Sequence, residues 1–301
     1  MSDDIIIFDR AACRAHRRRA AGLPAEARFL YREVQARLID RLDDINMRFE
    51  RVLDLGSGDG GLAAALAETG RRPWLVSLDS AEAYAARGPL PVVGEEEALP
   101  FADGGFDLIM STLGLHWTND LPGALLQIRR ILRPDGLLLA GMFGGETLRE
   151  LRESLLLAEL ETASGAAPRV SPFADLREAA GLLQRAGFAL PVADGEILTV
   201  TYPDAIALMR DLRAMGETNA VLQRPRHFTP RTLLLRAAAI YAERFGLPDG
   251  RIPATFQLLT LTGWSPADTQ QKPLAPGSAR TKLAEALGAV EQSAGDKTPR
   301  R

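Results

Sequence analysis

Arg51-Val52-Leu53-Asp54-Leu55-Gly56-Ser57-Gly58-Asp59-Gly60 is a short apolar strand that runs into an acid and then into glycines at alternate positions. Glycine at every second place lets the chain turn sharply and lets a ligand approach with no Cβ in the way. The turn opens a helix, whose first amides are unpaired donors. Strand, glycine turn and helix together make a nucleotide-type pocket at the carboxyl end of a parallel sheet.

The elements on either side extend this unit. Ala27, Leu30, Tyr31, Val34, Leu38 and Leu42 have helical spacing within 24–43. Strands are expected at 52–55, 74–78, 91–93, 106–111 and 137–142, with helices at 61–69, 81–86 and 121–132 between them. Leu132-Arg133-Pro134-Asp135-Gly136 reads as a helix stop and turn. Alternating strands and helices imply parallel strands with right-handed crossovers. After Met142 the rhythm changes to helices at 146–163, 172–186, 204–215 and 231–245, with strands at 196–202 and 255–262. The expected fold is therefore α/β: a doubly wound, mostly parallel seven-stranded sheet with a helical cap inserted late in the chain. The expected organisation is an N-terminal helical segment (1–45), a binding core (46–145), the cap (146–250), a final strand (251–264) and a polar tail (265–301) whose last part is disordered.

Composition narrows the function. The chain has 301 residues, 46% hydrophobic and 25% charged, with net charge −3. No strong field favours nucleic acid or an anionic membrane. The single cysteine, Cys13, excludes an internal disulfide and a cysteine-based metal site. No apolar run approaches the roughly 20 residues that span a bilayer. The basic cluster Arg14–Arg19 reads as a solvated face rather than a partner contact.

The chemistry concentrates at the strand ends. The spacing G-x-G-x-G, with Asp54 two residues ahead, departs from the dinucleotide pattern G-x-G-x-x-G. A pyrophosphate is repelled by that carboxylate, whereas a cationic ligand is attracted. S-adenosylmethionine, with its α-ammonium and sulfonium, fits Asp54, Gly56, Ser57 and Gly58. The alternative is a plain turn with Asp59 as a helix cap. Asp79 ends the next strand, roughly 20 residues on, where an acid takes both ribose hydroxyls; it can also cap the following helix. Glu95, first of Glu95-Glu96-Glu97, is placed to accept the adenine amino group, unless the three acids merely solvate a turn. Ser111 to Trp117 follows the fourth strand beside the ligand's reactive end. There His116 is either a general base or a packing and hydrogen-bonding residue beside Trp117.

Asp54-Leu55-Gly56-Ser57-Gly58-Asp59-Gly60, Leu99-Pro100-Phe101, Phe106-Asp107, Leu115-His116-Trp117 and Leu132-Arg133-Pro134-Asp135-Gly136 resemble the class I S-adenosylmethionine-dependent methyltransferases over about residues 50–143. Leu115-His116-Trp117 with Asp120-Leu121-Pro122 is similar to the branch that includes the biotin-pathway malonyl-carrier-protein methyltransferase. Ile7-Phe8-Asp9-Arg10, the run Met142–Arg152, Ser171-Pro172-Phe173, Met215-Gly216-Glu217-Thr218-Asn219 and Pro253-Ala254-Thr255-Phe256-Gln257 extend the resemblance over nearly the whole chain to the complex I assembly factor 5 family. This implies a Rossmann-like methyltransferase fold and an S-adenosyl-L-methionine pocket in which Asp54, Gly56, Gly58, Asp79 and Glu95 hold the cofactor.

For activity it implies three readings. The first is methyl transfer to a protein or small-molecule acceptor under the cap. The second is hydroxylation of an arginine, or chaperoning, of a quinone-proximal respiratory complex I subunit. The third is carboxyl methylation of a malonyl carrier protein. An iron oxygenase usually shows two histidines and a carboxylate, but none of His16, His116 and His227 is followed two residues later by Asp or Glu. Ile7-Phe8-Asp9-Arg10 begins almost at the start, which leads to the expectation of a bacterial cytoplasmic protein, peripheral to the inner membrane through its partner.

Overall fold

A computed structural model describes residues 6–162 and 166–270 and, singly, Ser278, Glu285 and Gly288. Met1–Ala267 is one compact unit and Asp268–Arg301 another. The polar tail expected from 265 lies, beyond Gln270, almost wholly outside the described residues.

The sheet is built as the apolar runs dictate. Its strands are β1 (Arg51–Leu55), β2 (Trp74–Asp79), β3 (Pro91–Val93), β4 (Phe106–Thr112), β5 (Leu132–Phe143), β6 (Ala189–Tyr202) and β7 (Ile252–Trp264), in the order β3-β2-β1-β4-β5-β7-β6. β1 to β5 run parallel, and β7 is antiparallel to both neighbours. β4 is buried at every residue, as a central parallel strand covered on both faces must be. The order reverses between β1 and β4, so Asp54 and Ser111 flank the switch point where ligands of such sheets sit.

Two strands begin five or more residues before their expected starts. β5 begins at Leu132 because Leu132 already pairs with Phe106. The Pro134-Asp135-Gly136 turn is then absorbed as a register shift, with Asp135 at φ 61°. β6 begins at Ala189; as an edge strand its outer positions are half exposed, so Asp194-Gly195-Glu196 breaks the apolar alternation without breaking the pairing with β7.

Helices cover both faces. α2 (Phe29–Asp43), α3 (Leu62–Glu68), α6 (Arg149–Thr162), α8 (Ala205–Met215) and α9 (Arg231–Phe245) join one apolar cluster through Leu30, Leu38, Leu66, Leu155, Leu212 and Tyr241. α5 (Leu121–Ile131) and α7 (Leu176–Arg185) join the other through Ile128, Ile131, Leu182 and Leu183. Of the helices expected in the cap, α7 packs on β6, β7 and α5, and α6, α8 and α9 join the cluster on the other face of the sheet. Short α4 (Glu82–Ala85) follows β2.

The N-terminal helical segment expected over 1–45 holds, ahead of the helix read at 24–43, a second one whose bounds were not read. α1 (Arg10–Ala21) is capped by Asp9, whose side chain accepts from the Ala12 amide at 3.0 Å. It lies against α4 and α8. The preceding segment is tied down by the Asn119 side chain, which accepts from the Ile7 and Phe8 amides. It is also held by an edge-on contact of Phe8 with Trp117 at 5.3 Å.

Candidate active site

The three glycines of the turn do different work. Gly56, at φ 76°, lies so close to the Gly114 Cα that an added Cβ would sit 3.4 Å from it. The β1 and β4 ends therefore meet backbone to backbone. At Gly60, at φ 75°, a Cβ would fall 2.7 Å from the Arg87 carbonyl carbon, so this glycine serves packing against the loop after α4. The Gly56 and Ser57 amides are held by the Leu78 carbonyl, and the Gly58 amide donates to Asp79 at 3.0 Å.

Asp54 is buried and its Oδ2 has no hydrogen-bond partner; the hydroxyls of Ser57, Ser111 and Thr112 share that condition. Burial, then the nearby Asp79 and Asp59, push the Asp54 carboxyl up to about 8. Buried polar groups are ordinarily satisfied. Three orphaned hydroxyls and a carboxyl that ionises reluctantly, gathered at the ends of β1 and β4, suit a ligand carrying a cation and polar atoms. Thr112 was missed by the sequence reading, although it continues the strand beyond Ser111.

The two acids expected to hold the nucleoside are not free. Asp79 accepts from Arg17 Nε at 3.1 Å and from Arg17 Nη2, besides the Gly58 amide and the Ala81 amide at 2.8 Å. Its bond to Ala81 is not the helix cap that sequence allowed, since Ala81 is itself the N-cap of α4, which has no side-chain cap. Glu95 accepts from Arg10 at 2.8 and 2.6 Å and pairs with Arg14 at 3.1 Å. The basic run is therefore only partly a solvated face: Arg17 is buried, and Arg10, Arg14 and Arg17 lie at i, i+4 and i+7 on one side of α1, facing these acids. Glu96, not singled out before, is the buried member of its triplet. It pairs with Arg10 and reaches toward the glycine turn, its Oε1 3.8 Å from the place of a Gly56 Cβ. Glu97 instead receives the Asn119 and Asp120 amides.

Beyond the Ser111–Trp117 segment opens a cavity of about 440 Å³, walled by Phe143, Leu148, Leu151, Phe173, Met209 and Leu212 and lined also by Trp117 and Glu217. A neighbouring groove of about 710 Å³ shares Leu155, Arg169, Val170 and Phe173 with it and includes Ile6 and Ile7. Glu217 is the polar feature that sequence reasoning left without a role. α8 ends at Gly216 with φ 89°, and this left-handed turn carries the next residue inward. The Glu217 side chain is 4% exposed. It accepts from the Tyr31 hydroxyl at 2.8 Å and the Trp117 indole at 3.1 Å, and His116 Nε2 lies 3.1 Å away. Burial and the Glu217 charge hold the Tyr31 phenol well above its usual range, so it stays a donor. The His116 ring, between Phe143, Phe173 and Trp117, keeps Nδ1 buried and without a partner. His116 is thus packed beside Trp117 and hydrogen-bonded to a carboxylate, as the second of its sequence readings has it. Among the described residues no group of three or more His, Cys, Asp or Glu side chains is placed to hold a metal ion.

A sheet of this order, with its last strand reversed and an acid and glycine turn at the end of β1, defines a class I methyltransferase-fold protein. Residues 53–140 match a methyltransferase domain. The chain is 41% identical to the mitochondrial arginine-hydroxylase NDUFAF5 of Danio rerio, over 93% of this chain and 89% of the relative. It is 37% identical to the malonyl-[acyl-carrier protein] O-methyltransferase of Halorhodospira halophila, over 82% and 85% respectively. The YcgJ protein of Bacillus subtilis shares the fold, with a TM-score of 0.51 at 18% identity over 76% of this chain and 98% of that one. The chain belongs to the family of methyltransferase-fold enzymes that includes the NDUFAF5 arginine-hydroxylases. Its cofactor is S-adenosylmethionine, which the orphaned polar atoms and the glycine approach fit. Among the described residues no helix is long and apolar enough to cross a membrane.

Proposed function

We propose that this protein binds S-adenosylmethionine in the β1–β4 cradle and hydroxylates an arginine side chain of a protein partner presented in the adjoining cavity. The observation that carries the reading is Glu217, among the described residues the one carboxylate lining a cavity that has apolar walls and three arginines. Apolar walls suit the three-carbon stem of arginine, and a carboxylate suits its guanidinium fork. The substrate of a carboxyl methyltransferase would bring a second negative charge to the same place. Of the cavity's arginines, Arg169 is committed to Glu159 at 2.7 Å, and Arg210 and Arg213 are exposed. The relatives named arginine-hydroxylases support the same substrate, and the resemblance read from sequence points to a respiratory complex I subunit as partner. Such a partner would bring the protein to the inner membrane surface.

The residues divide the work. Asp54 takes the cofactor's ammonium, Ser57, Gly58 and Ser111 line its tail, Asp79 receives the ribose hydroxyls and Glu95 the adenine amino group. When bound, the cofactor would supply a sulfonium-activated carbon, the chemistry of methyl transfer; hydroxylation would instead take one oxygen atom from dioxygen, with two electrons from an added reductant and the second oxygen leaving as water. Glu217 orients the guanidinium, and His116, with Nδ1 free, is placed to hold a proton at that end of the site. Incubating the protein with a complex I subunit, S-adenosylmethionine, dioxygen and a reductant, followed by peptide mass spectrometry, tests the reading. A gain of one oxygen on an arginine is expected. A gain of one methylene on arginine, or on a malonyl carboxylate, would assign one of the other activities.

Cofactor binding should depend on pH through Asp54. With the carboxyl at about 8 in the free protein, a bound cation requires its ionised form, so binding releases a proton. Affinity for S-adenosylmethionine should rise about tenfold per pH unit from 6 to 7.5, below the titration of the ligand's own ammonium. Asp54→Asn should flatten that slope in calorimetry. The free protein should behave oppositely: the native carboxyl keeps a proton that the unfolded chain loses near 3.8, so stability falls as pH rises from there to about 8.

A further inference from the structure

We infer that Arg17 is an exchangeable counter-ion of the cofactor site, held by Asp79 in the free protein and by the cofactor's carboxylate in the loaded one. The inference rests on the S-adenosylmethionine reading of the cradle and concerns a residue outside every motif that defines it. A carboxylate offers about four acceptor positions, and those of Asp79 are all taken, two by the Arg17 guanidinium and two by the Gly58 and Ala81 amides. The amide bonds belong to the fixed backbone of the turn and of the start of α4. Arg17 is the one partner that a ribose hydroxyl can replace.

Once displaced, the guanidinium cannot remain buried without a counter-charge. Burial works against its charge, but Asp79 outweighs that and holds the guanidinium well above its usual range. Its Nη2 already stands 3.5 Å from the Gly56 carbonyl, on the glycine turn where the amino-acid tail of the ligand lies. The Tyr84 ring, 5.3 Å from the guanidinium centre, supports it from the side. Charge balance agrees. S-adenosylmethionine carries two cations and one carboxylate. Ionised Asp54 and Asp79 together with Arg17 carry one net negative charge, equal and opposite to that of the ligand. Without Arg17 the ligand's carboxylate would face Asp54 and Asp79 with no cation to spare, since Arg28 is paired with Asp59 and Arg10 with Glu95 and Glu96.

The test compares S-adenosylmethionine with its decarboxylated analogue, which keeps both cations and lacks only the carboxylate. In calorimetry the wild-type protein should prefer the intact cofactor by about tenfold or more, the range of one charge-assisted hydrogen bond. Arg17→Gln should erase that preference, and Arg17→Lys, which restores the charge, should recover most of it. Methylthioadenosine, with no amino-acid tail, should bind Arg17→Gln more tightly than wild type, because Asp79 is then released. Thermal melting of each variant establishes that it is folded, and if Arg17→Gln is not, a wild-type protein that binds the intact and decarboxylated ligands alike overturns the exchange by itself. An unchanged preference in Arg17→Gln, or equal weakening of all three ligands, would overturn the exchange and leave Arg17 a scaffold residue. Failure of the wild-type protein to bind any of them would instead overturn the cofactor reading.

Discussion

Asp79→Ala should lower folding stability by about 3–5 kcal/mol, the cost of removing one partner from a buried ion pair, and should eliminate measurable S-adenosylmethionine binding. The two effects have separate origins. Asp79 and Arg17 are both buried, Asp79 completely. Alanine would leave a guanidinium with only the Gly56 carbonyl at 3.5 Å and the Tyr84 ring beside it. The Gly58 and Ala81 amides would also lose their acceptor, which loosens the glycine turn that the cofactor must meet. The double variant Arg17→Ala with Asp79→Ala removes both charges and should recover part of the stability, with a coupling of more than about 1 kcal/mol in a urea-denaturation cycle. Binding should not recover, because the ribose acceptor is still missing. A stability loss below about 1 kcal/mol for Asp79→Ala alone would show that water reaches the pair and that it is not the buried contact described.

Legibility in the sequence followed the range of the interactions. β1, β2 and β4 are short apolar runs ended by an acid, a glycine or a serine, and such local signals survive in one dimension. The same holds for Asp54 and Ser111, which sit at strand ends because the chain itself places them there. α1 was invisible for a physical reason. Its informative side carries arginines, and their partners Asp79, Glu95 and Glu96 lie 62 to 86 residues away. Read alone, such a helix face is indistinguishable from one facing water. Glu217 was hidden similarly, with partners 100 to 186 residues distant. Its one local clue was Gly216, a helix stop of the kind that turns the following residue out of the helix direction. The long β6 was shortened in the reading because an edge strand needs no apolar alternation on its outer side.

Glu217→Gln should lower kcat/KM toward an arginine-bearing peptide by about a hundredfold, in line with losing a charge-assisted contact to the reacting group, and should leave S-adenosylmethionine affinity unchanged. Glutamine is the right replacement because the native carboxylate is also a structural acceptor. Alanine would strand the Tyr31 hydroxyl and the Trp117 indole, each at about 1–3 kcal/mol, and would confuse misfolding with lost recognition. With glutamine the amide oxygen still accepts from Trp117 and the amide nitrogen can donate to the Tyr31 oxygen, so shape is kept and charge is lost. The decisive readout is discrimination between a peptide with arginine and the same peptide with citrulline, which has nearly the same shape and no charge. Wild-type protein should bind the arginine peptide far more tightly, and Glu217→Gln should bind the two alike, since its cavity no longer holds an anion. Retained discrimination in the variant would move guanidinium recognition elsewhere and reduce Glu217 to a support for His116 and Trp117. A uniform loss of affinity for both peptides would carry the same meaning. The comparison also separates the candidate activities: an enzyme for carboxylate acceptors should gain affinity for a malonyl thioester when Glu217 loses its charge, whereas an arginine-directed enzyme should lose its substrate and gain nothing.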